Sequence, residues 1–313
     1  MSDVFKVISP GPLTTIQDAG RTAFQHMGVP VSGALDRYAL HVANCLVGNR
    51  AECAVLEATL AGARLEVLAE ADIALTGAAS ALTINGAAAP GWTSIRVRPG
   101  DVVDAGVPES GCRSYLAVGG GFDVPLVMGS RATYLGGRLG GLGGRALQAG
   151  DILRRGPARL LAAPRRLPWF PIHGSEVVLR AVPGPQDGYF RSALATFFES
   201  PFTVSAQANR MGYRLEGPAL LREPDAPASI VSEPIVAGNV QVPADGQAII
   251  LLNEQTLGGY AKIATVITPD LFKVAQAKPG DTVRFAPVTV AEAGAIARQW
   301  ATFLREIQAL LAG

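Results

Sequence analysis

Lysine, histidine and cysteine are scarce in this chain: four, three and three residues respectively among 313, so that arginine supplies most of the positive charge. Three histidines (His26, His41 and His173) are too few for an all-protein zinc site, and Cys45, Cys53 and Cys112 fit no metal-ligand spacing. Buried free thiols are expected, because Cys45 falls on the apolar face of a predicted helix. No run of about 18 apolar residues occurs, which excludes a membrane-spanning helix. Asp3, Lys6 and Pro10 stand where a secretory hydrophobic segment would lie, so the expected location is cytoplasmic. A net charge of +1, without a basic stripe or an aromatic platform, excludes nucleic-acid binding. No G-x-x-x-x-G-K-[ST] occurs, so any ATP used is not held by a P-loop here. No lysine is flanked by two methionines, so a biotin would have to be carried by another chain.

What is abundant is apolar: 49% of residues are hydrophobic and only 17% charged. That balance fits a subunit that buries part of its surface against a partner. Short β-prone runs separated by Gly and Pro favour barrels or sandwiches over βαβ units. Pro99-Gly100-Asp101, Ala149-Gly150-Asp151 and Pro279-Gly280-Asp281 each precede an apolar β run and predict the same turn three times, hinting at two related β units. Helices are expected over residues 33–47, capped by Ser32, over residues 186–199, and over residues 290–312 behind the capping box Thr289-Val290-Ala291-Glu292. The Arg- and Pro-rich residues 164–169 mark the boundary between the β units.

Residues 248–266 are the most informative stretch. Two β-prone runs bracket Asn253, Glu254, Gln255, Thr256, Gly258 and Gly259, with Lys262 just beyond. The segment reads as a hairpin tip in which glycines let backbone approach a ligand, or as a polar loop with a solvated lysine. Asn209-Arg210-Met211-Gly212 offers a guanidinium suited to carboxylate or phosphate, or else a surface arginine in a turn. Glu233, fixed between Ser232 and Pro234, is either a general base or the ion-pair partner of Arg210 or Lys262. Gln17 and Asp18 precede Gly20, where an Asx turn accounts for them with or without a functional role. His26 is the one histidine considered for the site, with a satisfied structural histidine as the other reading. Residues 141–146 formally match G-x-G-x-x-A, but no strand leads in and no helix of useful length follows, which excludes a dinucleotide site. The glycine run 136–145 is expected to form a mobile loop, with Arg131, Arg138 and Arg145 near a bound anion, or else a purely structural bend.

The stretch Gln255-Thr256-Leu257-Gly258-Gly259-Tyr260-Ala261-Lys262-Ile263-Ala264 resembles a block of the carboxyltransferase-like family. That family includes allophanate hydrolase subunit 2, the C subunit of bacterial ATP-dependent 5-oxoprolinase, the Kip antagonist protein and the carboxyltransferase module of urea carboxylase. The segments Ile16-Gln17-Asp18-Ala19-Gly20-Arg21, Gly28-Val29-Pro30-Val31-Ser32-Gly33, Leu56-Glu57-Ala58-Thr59-Leu60, Tyr115-Leu116-Ala117-Val118-Gly119-Gly120-Gly121, Asn209-Arg210-Met211-Gly212-Tyr213 and Ser232-Glu233-Pro234-Ile235 extend the resemblance over nearly the whole chain. Leu257, Ala261 and Asn253-Glu254 depart from the family's usual residues.

The resemblance is closest to the 5-oxoprolinase C subunit. It implies a mainly β fold: two cyclophilin-like β-barrel subdomains, residues 1–165 and 166–289, around a groove, followed by a C-terminal helix at 290–313. It implies membership of an ATP-dependent 5-oxoprolinase that cleaves 5-oxo-L-proline to L-glutamate only as a complex, with ATP and Mg2+ as the complex's cofactors. A Kip inhibitor-like B subunit and a lactam-utilisation-type A subunit are the implied partners. Lys262, Glu233 and Glu254 are then the catalytic candidates, with Arg210 and Lys262 binding anions. Gln17, Asp18, Ser32, Asn209, Arg210, Gln255, Thr256, Gly258 and Gly259 are the substrate-binding candidates, and no metal site is expected. Two alternatives remain: a biotin-dependent carboxyltransferase whose biotin is carried by another chain, and a regulatory protein that antagonises a Kip-type kinase inhibitor.

Overall fold

The three Gly-Asp turns fold alike. Gly100, Gly150 and Gly280 all take φ near +90°, at 89°, 89° and 90°. In each, the Asp carboxylate accepts the backbone N–H three residues earlier, from Arg98, Gln148 and Lys278 at 2.7, 2.7 and 2.9 Å. The Gly N–H and the Asp carbonyl then bond a neighbouring strand residue in both directions: Val67, Val7 and Val204 respectively. A positive φ is strained for any residue with a Cβ, which is why the turn repeats with glycine in the same place.

The computed structural model describes residues 2–227 and 229–312. Contacts divide the chain into two compact units, Met1–Thr22 with Ser32–His173 and Phe303–Gly313, and Ala23–Val31 with Gly174–Thr302. The fold is mainly β with four α-helices among the described residues.

In the first unit the strands form two antiparallel sheets. One runs Ile152–Arg155, Ser2–Ser9, Arg64–Val67, Val102–Asp104, Thr83–Ile84, Ala87–Ala88, and the other Leu13–Gln17, Val55–Thr59, Pro108–Val118, Ala71–Ser80, Ser94–Val97. Their inward residues, among them Phe5, Val7, Leu65, Ile16, Leu56, Ile73 and Leu116, build one core. The first helix is Arg37–Leu46, shorter than expected and capped by Asp36, whose Oδ1 accepts the Ala39 N–H at 2.8 Å. Ser32 cannot cap it: its φ is +52°, whereas an N-cap residue is extended. The expected apolar stripe of Tyr38, Val42, Cys45 and Leu46 is buried.

In the second unit seven strands close a barrel in the order Glu176–Pro183, Lys262–Val266, Asn239–Gln241, Ile249–Leu251, Gly212–Glu216, Phe202–Val204, Thr282–Pro287. The first and last strands pair in parallel and close it. The helix expected over 186–199 is interrupted: a 3-10 turn at Asp187–Phe190 and a short helix at Leu194–Glu199 deliver Phe190 and Phe197 to the core. Phe197 stacks on Phe285 with ring centroids 4.2 Å apart. The long helix Val290–Ala312 opens on the expected capping box, in which Glu292 accepts the Thr289 N–H and Thr289 Oγ1 accepts the Glu292 N–H. No described helix is long and apolar enough to cross a membrane.

Candidate functional site

Residues 248–266 do not form a hairpin. Ile249–Leu251 and Lys262–Val266 both pair with Asn239–Gln241, which lies between them. The connecting segment must therefore reach past that strand, and on the way Leu257–Gly258 pairs with Glu233–Pro234 as a small separate ladder. Two segments far apart in sequence are thereby fixed side by side, with Glu233 opposite Gly258. Glycine leaves room there for a side chain of the barrel: a Cβ on Gly258 would sit 2.3 Å from Nε2 of Gln241, whose carboxamide would have to move. Gln241 is itself buried, and its Nε2 donates to the Tyr260 carbonyl at 3.2 Å.

Each candidate cation in this unit is paired with a candidate carboxylate. Lys262 Nζ donates to Glu233 Oε1 at 2.7 Å and to the Pro234 carbonyl at 3.2 Å. The Lys262 side chain is 5% exposed and that of Glu233 is 38% exposed. The lysine hydrogen bond holds the Glu233 carboxyl below the usual glutamate range, with Gln186 adding in the same direction. Arg210 Nε meets Glu254 Oε1 at 2.6 Å, and these side chains are only 5% and 6% exposed. The two pairs differ physically. A buried pair compensates desolvated charges on both sides, so losing either partner is costly. The Lys262 pair keeps one face toward water, and its carboxylate can exchange protons.

Beside the Lys262 pair lies a cavity of about 1060 Å3. Its wall includes Asn209, Gln255, Gly258 and Gly259 from the expected set, together with Gln207, Ser232, Gln241 and Tyr260. Glu233 is the ladder partner of wall residue Gly258, and Lys262 that of wall residue Gln241. Thr256, Arg210 and Glu254 are off the wall. Thr256 instead uses its carbonyl to accept the Ile235 N–H. Asn209 commits its Oδ1 to a turn, accepting the N–H of Met211 at 2.8 Å. The wall's cation, Arg214, is paired with Asp245 at 2.9 Å. The chemistry offered to a ligand is thus carboxamide and hydroxyl donors and acceptors, with an ammonium–carboxylate pair one ladder position away.

The N-terminal candidates lie in the first unit and are knitted into it. Asp18 forms the Asx turn, accepting the Gly20 N–H at 2.8 Å, and also accepts Ser130 Oγ at 2.7 Å and the Arg131 N–H at 2.5 Å. Gln17 donates to the Thr133 carbonyl at 3.0 Å, and Ser32 is fully buried. The glycine run is folded onto this region rather than standing out as an open loop: the Gly141 N–H bonds the Arg131 carbonyl, and the Gly144 N–H that of Gly140. Arg131 is paired with Asp123 and Arg145 bidentately with Asp151, so neither presents an open charge for an anion. Arg138 and His26 are exposed.

Sequence reasoning missed Gln186, Gln207, Gln241 and Tyr260. Gln241 stands between Val240 and Val242, and such alternation reads as a solvent-facing position. The 257–260 segment covers it instead.

The sequence profile described as carboxyltransferase domain, subdomain A and B, matches residues 27–287. The chain belongs to this family. It is 40% identical over 298 residues to the 5-oxoprolinase C subunit of Escherichia coli (strain K12), covering 93% of both chains. It is 33% identical over 308 residues to the urea amidolyase of Lachancea kluyveri, covering 91% of this chain but 17% of that much longer protein. The crystal structure of the Kluyveromyces lactis urea carboxylase superposes with a TM-score of 0.89 at 30% identity, over 98% of this chain and 29% of that one. The fold and the family are thereby fixed, and the 5-oxoprolinase C subunit resembles this chain nearly end to end.

Proposed function

We propose that this family member is the C subunit of an ATP-dependent 5-oxoprolinase, contributing the lactam-binding site of a complex that hydrolyses 5-oxo-L-proline to L-glutamate. The observation that carries the reading is the carboxamide-lined cavity beside Lys262 and Glu233, in a chain similar to a 5-oxoprolinase C subunit over 93% of both lengths. A lactam presents one carbonyl acceptor and one N–H donor side by side, and a carboxamide matches both. Gln255 orients the ring amide, Asn209, whose Oδ1 is held in its turn, offers Nδ2 to the lactam carbonyl, and Gly258 and Gly259 bring backbone close to the same space. Lys262 stabilises negative charge as it develops on the lactam oxygen, and Glu233 exchanges the proton that must move when the C–N bond opens. Arg210–Glu254 holds the wall and takes no part in proton transfer.

A lactam is a poor electrophile, and in the complex ATP with Mg2+ would supply the activation, ending as ADP and phosphate while water adds to the carbonyl carbon and the C–N bond opens. The wall of this cavity does not fit a triphosphate: its cation, Arg214, is already paired with Asp245, and Lys262 beside it is paired with Glu233. ATP is therefore assigned to another chain of the complex, with a Kip inhibitor-like B subunit and a lactam-utilisation-type A subunit as the partners. A second reading rests on the likeness to the urea carboxylase structure: the same carboxamide wall suits a ureido group, and the site would then pass a carboxyl group from biotin held by another chain. Omission tests the first reading. Glutamate release should require this chain and both partners together, and release by this chain alone would overturn it.

A further inference from the structure

Gln186 is off the cavity wall, yet it touches both members of the Lys262–Glu233 pair. It follows Pro183-Gly184-Pro185, a turn that folds back onto the Lys262–Val266 strand. Gly184 makes that approach possible: its N–H bonds the Ile263 carbonyl at 2.8 Å, and a Cβ there would lie 2.2 Å from the Lys262 carbonyl oxygen. The Gln186 N–H then donates to the Lys262 carbonyl at 3.3 Å, and its Oε1 accepts the Lys262 N–H at 3.0 Å. A backbone N–H can only donate, so Oε1 must face it, and this fixes which way the carboxamide is turned. Nε2 is consequently aimed at Glu233 and donates to Oε1 at 3.2 Å. That is the oxygen that also receives Lys262 Nζ.

We propose that Gln186 is a positioning residue: its carboxamide fixes the Glu233 carboxylate in place against the Lys262 ammonium. The proposal rests on the reading that this pair serves the lactam site. Three groups bear on the pair. Lys262 from its strand is the charged one on Glu233 Oε1, Gln186 from the turn is neutral, and the Pro234 carbonyl draws on the same ammonium. A donor aimed at a carboxylate favours its ionised form, and a second carboxylate in that place disfavours it. Substituting Gln186 therefore changes the proton affinity of Glu233 without touching substrate.

Two variants separate positioning from mere packing. Gln186→Glu retains an acceptor for the Lys262 N–H but sets a carboxylate against Glu233, and Gln186→Met is similar in length and provides neither bond. The Glu233 carboxyl is titrated by 13C NMR in the full chain, assigned by comparison with Glu233→Gln, and the pH profile of kcat/KM is measured with cognate partners. In Gln186→Glu the Glu233 midpoint should move up and the acid limb of kcat/KM should move up with it. The kcat should fall about tenfold while KM changes little. Gln186→Met should give a smaller shift of the same sign. An unmoved Glu233 midpoint and acid limb in both variants, with Lys262→Met inactive, would overturn the positioning role. A moved midpoint with Lys262→Met fully active would instead uphold the positioning of the pair and overturn the site reading beneath it.

Discussion

Replacing Lys262 and Arg210 by methionine in parallel separates the two ion pairs that share this unit. In Lys262→Met the stem volume is largely kept and the Glu233 carboxylate, 38% exposed, can rehydrate. The cost should be about 1–2 kcal/mol, covering a partly exposed pair and one bond to the Pro234 carbonyl. In Arg210→Met the Glu254 carboxylate, 6% exposed, is left without its guanidinium in a place water barely reaches. Breaking a buried pair in that way costs about 3–5 kcal/mol. A kcal/mol moves the melting temperature by about 2–4 °C in proteins of roughly this size, so with a difference of about 1–4 kcal/mol Arg210→Met should melt about 2–16 °C below Lys262→Met. Activity should separate the variants differently. With cognate partners, Lys262→Met should lose about 10²-fold in rate while remaining folded, and Lys262→Arg should recover little, since a planar fork does not replace a compact ammonium. Thermal melts beside steady-state rates decide it. Normal rates in Lys262→Met would remove Lys262 from the site, and an unchanged melt for Arg210→Met would refute the buried-clamp argument.

Gly184→Ala and Gly258→Ala should differ in kind. The first drives a methyl to 2.2 Å from the Lys262 carbonyl oxygen, a backbone atom that cannot step aside, and should cost about 2–4 kcal/mol by denaturant melt. The second meets only the end of the Gln241 side chain and should cost about 1 kcal/mol while raising KM, because the displaced amide belongs to the cavity wall. Burial pushes the His173 imidazole down to about 4 from an ordinary 6.5. The unfolded chain then protonates first, so the stability His173 contributes is complete above about 6.5 and lost as pH falls toward 4. His173→Phe should flatten that part of the melting-temperature profile, and an unchanged slope would exclude the histidine as its source.

The features legible in the sequence are those specified by local chemistry. The thrice-repeated Gly-Asp turn needs a positive φ and a short carboxylate, and both are written in adjacent residues. The capping box at Thr289 and Glu292 and the apolar stripe Tyr38-Val42-Cys45-Leu46 are likewise local. Features made by strand order are not legible. The bracketing apolar runs of residues 248–266 read as a hairpin, and only the insertion of Asn239–Gln241 between them shows why the segment pairs with Glu233–Pro234 instead. The candidate site shows the same division. Lys262 and Glu233 each stand out in the sequence, with the glutamate left open as a general base, a partner of Arg210 or a partner of Lys262. Gln186 lies at the start of a predicted helix, and nothing in its neighbours reveals that the turn brings it against Lys262. Arg210 and Glu254 stand out only separately, because a sequence does not show that two charges 44 positions apart are buried against each other.

The central claim is the identity of the substrate, and product analysis of the reconstituted complex tests it most directly. The three chains with Mg2+ and ATP are offered 5-oxo-L-proline in one reaction. In another they are offered urea and bicarbonate with a biotin carboxylase and a biotinylated carrier, and glutamate, ADP and carboxylated urea are quantified. Glutamate should form together with ADP from the lactam alone, be lost in Lys262→Met, and appear with no carboxylated urea. Carboxylated urea without glutamate would contradict the claim and would assign this cavity to carboxyl transfer.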